Sequence, residues 1–315
     1  RDALWKVESA NLTPWDSPGG MVVAGMGGSA IGGMLARAAL GDTASRPILP
    51  SQEYGVPAGT TPDTTVLCAS YSGETEETLA AYEAAGALGA RRVVVTSGGR
   101  LAEQARADGV PVIPVAGGFQ PRAAVAYMFV AALEVAALCG ITTRRNSEID
   151  VAAEALESCV IEWGPDASSY SDAKRIAMSL HGSIPVVYGA GPTFPIAYRW
   201  KTQINEHAKL PAFAHELPEM NHNEVCGWDG SPGLGKFSAL FLEDTDQHPR
   251  VARRFELTEQ LIASDAHFTE RVRTIGVGGV PTESCVIRWS VTCMKALGPV
   301  PKPPGSACPT APMCL

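Results

Sequence analysis

One unit occurs twice in this chain: a short apolar run, a glycine-rich turn and a helix-forming segment. The first copy spans Met21 to Leu40, and the second spans Ile184 to Ala208. A buried strand that leads directly into a helix is typical of parallel α/β layers. Further apolar runs predict strands, and they lie at Thr65–Ala69, Arg92–Thr96, Val110–Pro114 and Phe237–Leu242. The repeated unit therefore predicts two related halves.

The length supports the same division, because 315 residues exceed one typical domain. Around residues 142–180 the strand–helix alternation gives way to a polar, helix-forming segment. We predict an α/β protein of two doubly wound domains, each a mainly parallel sheet flanked by helices. The first would span residues 1–147 and carry the anion-binding turns. The second would span residues 148–315 and include the connecting helix and an atypical tail.

Composition narrows the possible partners. A net charge of -8 with no long Lys/Arg block disfavours nucleic-acid binding, which demands a basic face. No uninterrupted run of 18 apolar residues and no apolar signal-peptide core appear, so we expect neither membrane insertion nor export. Scattered cysteines without a CxxC pair are typical of buried thiols in a reducing compartment; in the body of the chain they are Cys68, Cys139, Cys159 and Cys226. We expect a cytoplasmic protein.

The turn after the first predicted strand has the composition of an anion site. Gly25, Gly27 and Gly28 open a helix, whose first N–H groups are free to bind a ligand, and the Ser29 hydroxyl adds a donor. The same residues also fit a dinucleotide fingerprint. That fingerprint needs an acidic residue at the end of the next strand, and neither Asp42 nor Glu53 ends a clear one. A tight turn without any ligand also stays open.

The second predicted strand is followed by hydroxyl side chains at the start of a helix. Ser70, Ser72 and Thr75 can each donate a hydrogen bond to one phosphate. A simple helix cap is the alternative, but a cap needs one hydroxyl rather than three. The pattern therefore favours a phosphate-binding loop, which we call the serine loop (residues 70–75).

In the second half, Arg199, Gln203 and Glu206 are spaced so that they would share one helix face. The alternative for Glu206 is a solvated carboxylate paired with Lys201 or Lys209. The loop that follows is rich in histidine and glutamate. Its sequence His215-Glu216-Leu217-Pro218-Glu219 is not the zinc motif H-E-x-x-H, and its proline would break the required helix. We expect no metal and no other cofactor.

Several segments, in order, resemble the bifunctional phosphoglucose/phosphomannose isomerases, which have two tandem SIS domains. These segments are GMGGSAIGG, YSGET, GFQPRAA and HELPEMNHNE, between Met21 and about Leu242. The resemblance implies that Ser70, Ser72 and Thr75 hold the phosphate of a hexose 6-phosphate. It implies that Gly27, Gly28 and Ser29 line the substrate site, the last two facing the sugar.

The same resemblance implies catalytic roles for three residues. Glu206 would move a proton between C1 and C2, His222 would open the sugar ring, and Arg122 would stabilise the charge of the intermediate. These residue types suit the chemistry, since histidine titrates near neutral pH and arginine is a fixed cation. The implied reaction interconverts fructose 6-phosphate with glucose 6-phosphate and mannose 6-phosphate. The family also implies a homodimer in which the histidine crosses the interface.

The tail departs from the family pattern. From about Thr274, proline and cysteine cluster and helical periodicity is poor. The family's C-terminal lysine has two candidates, Lys295 and Lys302, and neither lies in a matching motif.

Other classes of protein stay open: a non-catalytic sugar-phosphate sensor, an amino-sugar phosphate enzyme and a dinucleotide-dependent oxidoreductase. A sensor would be expected beside a basic DNA-binding segment, and none is apparent. An amino-sugar phosphate enzyme of the aminotransferase type usually carries a glutamine-hydrolysing domain, and no segment is left to form one. A dinucleotide-dependent oxidoreductase would not explain the serine loop.

Overall fold

The computed structural model describes residues 1–164 and 166–273. Its first sheet has five parallel strands in the order β2-β1-β3-β4-β5. These strands are β1 (Met21–Gly25), β2 (Ile48–Ser51), β3 (Thr65–Ala69), β4 (Arg91–Thr96) and β5 (Val112–Pro114). The helices are α1 (Asp2–Ser9), α2 (Gly27–Leu40), α3 (Glu76–Ala87), α4 (Gly99–Ala107) and α5 (Val125–Leu138). Every residue of β1 and β3 is buried because helices cover both faces of the sheet.

The second sheet has four parallel strands in the order β7-β6-β8-β9. These strands are β6 (Ile184–Gly189), β7 (Phe213–Glu216), β8 (Phe237–Glu243) and β9 (Phe268–Arg273). The accompanying helices are α6 (Asn146–Trp163), α7 (Asp172–Leu180), α8 (Phe194–Gln203) and α9 (Pro249–Ile262). Two parallel sheets flanked by helices confirm the predicted fold class.

One hydrophobic core joins the two sheets. Ile31 and Leu35 of α2 belong to the same buried cluster as Ile196 and Trp200 of α8. Helix α5 lies in this cluster as well. With the turn before it, Pro121–Leu138 is long and apolar enough to cross a membrane, but it is mostly buried inside the protein, as a core helix is.

Sequence patterns missed three of the four outer strands, β5 being the one they found. β2, β7 and β9 lie at the ends of the described sheets, where a strand has no continuous apolar run, and β2 also contains Pro50. Glu53 does not end a strand, as expected, but it follows the unpredicted strand β2 by two residues.

The cysteine prediction is correct for two of the four residues. Cys68 and Cys139 are buried, and burial raises the pKa of the Cys68 thiol to about 12. Cys159 is half-buried and Cys226 is exposed, so these two are not core thiols. The tail from Thr274, with Lys295 and Lys302, lies outside the described residues.

The strand order determines where a ligand can bind. In the first sheet, β1 has β2 on one side and β3 on the other, which is the switch point of a doubly wound fold. Loops at the carboxyl ends of the strands open a crevice there. The glycine turn follows β1 and the serine loop follows β3, so the topology brings both predicted anion-binding segments to the same crevice.

Candidate active site

The glycine turn and the serine loop are in direct contact. The backbone N–H of Tyr71 donates a hydrogen bond to the Ser29 hydroxyl oxygen at 3.2 Å. Gly27 opens α2 at φ +51°, a conformation that favours glycine, and the helix has no side-chain cap at this end. The first N–H groups of α2 therefore lie beside the serine loop, as an anion site requires.

The hydroxyl groups of the serine loop organise the loop itself. The Ser70 and Thr75 hydroxyl oxygens are 2.8 Å apart, and the Gly73 N–H donates to Ser70 Oγ at 3.1 Å. The Glu74 N–H donates to Ser72 Oγ at 3.2 Å. Thr75 occupies the N-cap position of α3 but its side chain accepts no capping hydrogen bond. The helix-cap alternative therefore does not account for this hydroxyl, which bonds across the loop instead.

Arg122 lies against the glycine turn. It belongs to a single 3-10 turn, Pro121–Ala124, that leads into α5. A Cβ placed on Gly28 would lie 3.2 Å from the Pro121 carbonyl oxygen and 3.3 Å from the Arg122 Cα. The absence of a side chain at Gly28 thus allows this close approach.

Tyr71 of the serine loop anchors the chain that leads to Arg122. Its hydroxyl accepts from the Phe119 N–H at 2.8 Å and donates to the Ala116 carbonyl oxygen at 3.3 Å. The segment GFQPRAA, which the sequence singled out, is therefore fixed at the same crevice as both anion-binding loops.

Glu206 comes from the second half and meets Arg122. Beyond Gln203, α8 continues into a π-helical turn, Ile204–Ala208, which contains Glu206. The Glu206 Oε2 atom is 3.6 Å from the Arg122 Nη1 atom. Among the described residues Glu206 pairs with Arg122, and it forms no ion pair with Lys201 or Lys209. Single π turns within helices are frequent at functional sites.

The same π turn corrects the predicted helix face. Arg199 and Gln203 are each only 1% exposed, whereas Glu206 is exposed. The wider turn changes the phase of the helix, so these three side chains do not share one surface. Arg199 instead points inward, and its Nη2 donates to the Arg122 carbonyl oxygen at 2.6 Å.

Gln203 connects Arg199 to His207. With its amide oxygen toward the guanidinium, Gln203 accepts from Arg199 Nη1 at 3.0 Å and donates to His207 Nε2 at 3.1 Å. Burial lowers the pKa of His207, and the nearby Arg122 lowers it further. A neutral imidazole with Nε2 as acceptor fits this arrangement. The sequence analysis did not consider His207, because nothing in its spacing distinguishes it.

His222 is not part of this cluster. It ends a 3-10 turn, Glu219–His222, and is exposed. Within the described part of the chain its side chain makes no hydrogen bond and no ion pair. The structure therefore brings Arg122 and Glu206 together but places His222 on a separate loop.

That loop is held by a polar network which the sequence did not reveal. The buried Tyr188 hydroxyl donates to Glu224 Oε1 at 2.6 Å and accepts from Trp228 Nε1 at 3.0 Å. The Glu224 carboxylate also pairs with His215 Nδ1. Burial, foremost, and the Glu224 charge raise the pKa of Tyr188 above its ordinary value, so its phenol stays a neutral donor. From the sequence, Tyr188 and Trp228 are predicted only to be core residues. Their hydrogen bonds could therefore not be predicted.

The acidic and histidine side chains of the described residues do not form a metal site. Across residues 1–164 and 166–273 no group of three or more His, Cys, Asp and Glu side chains is arranged to hold a metal ion. His215 and Glu224 form a pair, and Glu219 bonds to Asn223 instead.

Two comparisons define the class of the protein. Residues 170–283 match the family model of the bacterial phospho-glucose isomerase C-terminal SIS domain. The solved C-terminal domain of glucosamine-fructose-6-phosphate aminotransferase from Francisella tularensis aligns with a TM-score of 0.63, covering 94% of this chain and 91% of that one. At 12% identity this likeness shows the fold alone. The second sheet thus lies in a segment that matches an SIS domain, and the fold of the whole chain is like that of this phosphosugar-enzyme domain.

Sequence relatives define the family. A bifunctional phosphoglucose/phosphomannose isomerase from Caldicellulosiruptor bescii is 38% identical, covering 81% of this chain and 76% of that protein. One from Aquifex aeolicus is 37% identical, covering 82% and 76%. The chain belongs to the family of bifunctional phosphoglucose/phosphomannose isomerases, which confirms the family predicted from its motifs.

Proposed function

We propose that this protein is an aldose–ketose isomerase that interconverts fructose 6-phosphate with glucose 6-phosphate and mannose 6-phosphate. Membership of the family supports the activity. The observation that carries the proposal is the Arg122–Glu206 pair, with its atoms 3.6 Å apart beside the glycine turn. A carboxylate next to a fixed cation is what proton transfer through an enediolate needs.

In this proposal the serine loop and the start of α2 bind the phosphate. Ser70, Ser72 and Thr75 donate to its oxygens, and the partial positive charge of the helix start favours the anion. Gly27, Gly28 and Ser29 line the sugar side of the crevice. Binding the phosphate supplies remote binding energy that orients C1 and C2.

The proton transfer then uses the Arg122–Glu206 pair. Glu206 takes the proton from one carbon and returns it to the adjacent one. Arg122 stabilises the negative charge that develops on the enediolate oxygen. If the C2–C3 bond rotates in the open chain, the proton can return to either face of C2, which gives both epimers. These steps use no metal and no redox cofactor.

His222 would open the ring as an acid–base group, and we propose that it comes from a second copy of the chain. Among the described residues its side chain forms no hydrogen bond or ion pair with Arg122 or Glu206, which supports this assignment. The protein would then be a homodimer with active sites at the interface. We also propose a domain boundary near residue 147, close to the start of α6, and a cytoplasmic location.

The first experiment is a coupled assay with fructose 6-phosphate that follows both products in the presence of EDTA. In the Glu206→Gln variant we expect kcat to fall by about 10²–10⁴-fold, the usual contribution of a general base. Affinity for the phosphosugar should stay within a few-fold of wild type. Glu103→Gln, on the exposed face of α4, is the matched control and should keep full activity.

Two outcomes would contradict the proposal. Turnover of Glu206→Gln comparable to wild type would exclude the assigned base. If wild type forms neither product but fructose 6-phosphate raises its melting temperature, the protein binds the sugar without isomerising it.

A further inference from the structure

We propose that Arg199 is a positioning residue that sets the distance between Arg122 and Glu206. The inference rests on the proposed function, because it assigns a role within the same site. Arg199 does not reach the crevice itself. It acts through the backbone of Arg122.

The first observation is that Arg199 is buried. It is the largest of the fully buried side chains in the described structure, at 1% exposure. A buried guanidinium is costly unless its N–H groups are hydrogen-bonded. Here Nη2 donates to the Arg122 carbonyl oxygen at 2.6 Å, a charge-assisted bond. The carbonyl oxygen of Arg122 thus accepts a hydrogen bond from a buried charge.

The second observation is that Arg122 is held from both sides. On one side its Cα approaches Gly28 so closely that an added Cβ would be 3.3 Å away. On the other side Arg199 binds its carbonyl oxygen. Gly28 belongs to the first half and Arg199 to the second. The backbone of Arg122 is therefore fixed with respect to both halves at once.

The third observation is the shared helix. Arg199 lies on α8, which continues directly into the π turn that contains Glu206. A hydrogen bond from α8 to Arg122 therefore fixes Arg122 relative to the turn that contains Glu206. Gln203, between Arg199 and His207, accepts from Arg199 Nη1 at 3.0 Å. One planar guanidinium thus donates hydrogen bonds to two acceptors. A lysine ammonium on its flexible stem would not hold these two acceptors in the same geometry.

The test compares Arg199→Lys and Arg199→Met with wild type. We expect kcat to fall by about 10²-fold in Arg199→Met, the loss typical of a 1 Å misplacement, and KM for fructose 6-phosphate to change little. Arg199→Lys should recover part of the loss. Arg37→Met, an exposed arginine on α2, is the matched control and should behave as wild type. Equal losses in kcat and in phosphosugar affinity would indicate a general structural role and overturn the proposal.

A double-mutant cycle separates positioning from stability. If Arg199 acts through Arg122, adding Arg199→Met to Arg122→Met should cost much less than it costs in wild type, because the group being positioned is already gone. A full additional loss would overturn the proposal. Where Arg199→Met fails to fold, the same cycle with Arg199→Lys decides.

A structural measurement distinguishes this inference from the proposed function. In a crystal structure of Arg199→Lys, the Arg122 Nη1–Glu206 Oε2 distance should lengthen from 3.6 Å. An unchanged distance would overturn the positioning role even if the enzyme is active. A lengthened distance would support it even if wild type shows no isomerase activity, in which case only the proposed function fails.

Discussion

The carboxyl edges of the two sheets have the same topology but different chemistry. In both sheets the first strand, β1 or β6, has a neighbouring strand on either side. A glycine turn at the carboxyl end of that strand leads into the next helical segment. After β3 the first sheet presents Ser70, Ser72 and Thr75. At the end of the equivalent strand β8, the second sheet presents Glu243, the last residue of the strand, followed by Asp244, Thr245 and Asp246.

These acidic residues make the second edge unsuitable for a phosphate. Glu243 is only 6% exposed and accepts from Arg273 at 2.9 Å, with Arg271 also close. Like charges repel, and the arginines that neutralise Glu243 are already engaged. The second half supplies a helix carboxylate to the site instead. The duplicated fold thus provides two switch points, and the side chains suit only the first of them to an anion.

The largest expected effect is a difference in KM between two variants, each with one threonine replaced at the edge of one sheet. Thr75→Val should raise KM for fructose 6-phosphate by about 10–100-fold, because a hydrogen bond to a charged group contributes about 1.5–3 kcal/mol. Thr245→Val, exposed at the equivalent edge, should leave KM within about twofold. Steady-state kinetics with both variants measures this difference. Equal effects on KM would break the comparison, since both edges would then contribute to binding.

Sequence reasoning found the inner strands for a physical reason. β1, β3 and β8 are buried almost throughout, so each is a continuous apolar run that needs no context to be recognised. The outer strands β2, β7 and β9 lack that signal, since one side of each has no described neighbour. The loops of the candidate site could be placed because they follow inner strands.

The contacts within the site were less accessible to sequence analysis. The role of Arg122 came from family resemblance, and its pairing with Glu206 depends on the packing of α2 against α8. A regular helical repeat places Arg199 beside Glu206, and only the π turn separates them. The Tyr188–Glu224 bond joins a strand to a distant loop, so no local pattern reports it. The role of His222 remains a prediction.

A smaller effect is expected at two equivalent glycines. Gly27 and Gly191 start the helical segments after β1 and β6, at φ +51° and +49°, and a Cβ at either would meet no atom within 4 Å. Alanine at either position should therefore destabilise the fold by a similar amount, about 1 kcal/mol, through backbone strain alone. Only Gly27→Ala should also raise KM, because only its turn faces the serine loop. Thermal unfolding and kinetics of both variants measure this, and a matching KM effect in Gly191→Ala would contradict it.

The smallest expected effect is a change in the pKa of His207, which tests whether Arg122 of the first half lies near this histidine of the second half. The pKa of His207, on the second half, is lowered first by burial and then by Arg122 of the first half. Arg122→Met should therefore raise the His207 pKa toward its ordinary value near 6.5, measured by NMR titration of the imidazole. Arg100→Met, exposed on α4, is the control and should leave the His207 pKa unchanged.

The same shift has a consequence for stability. Because the His207 pKa is lower in the folded protein, the unfolded chain binds this proton first as the pH falls. The stability associated with neutral His207 is therefore complete above about pH 6.5 and is lost progressively as the pH falls from there toward the lowered folded value. Arg122→Met should weaken this dependence, which urea unfolding between about pH 5 and 7.5 would detect. If neither the His207 pKa nor the pH dependence responds to Arg122→Met, the first half does not present its arginine to α8, and only burial perturbs His207.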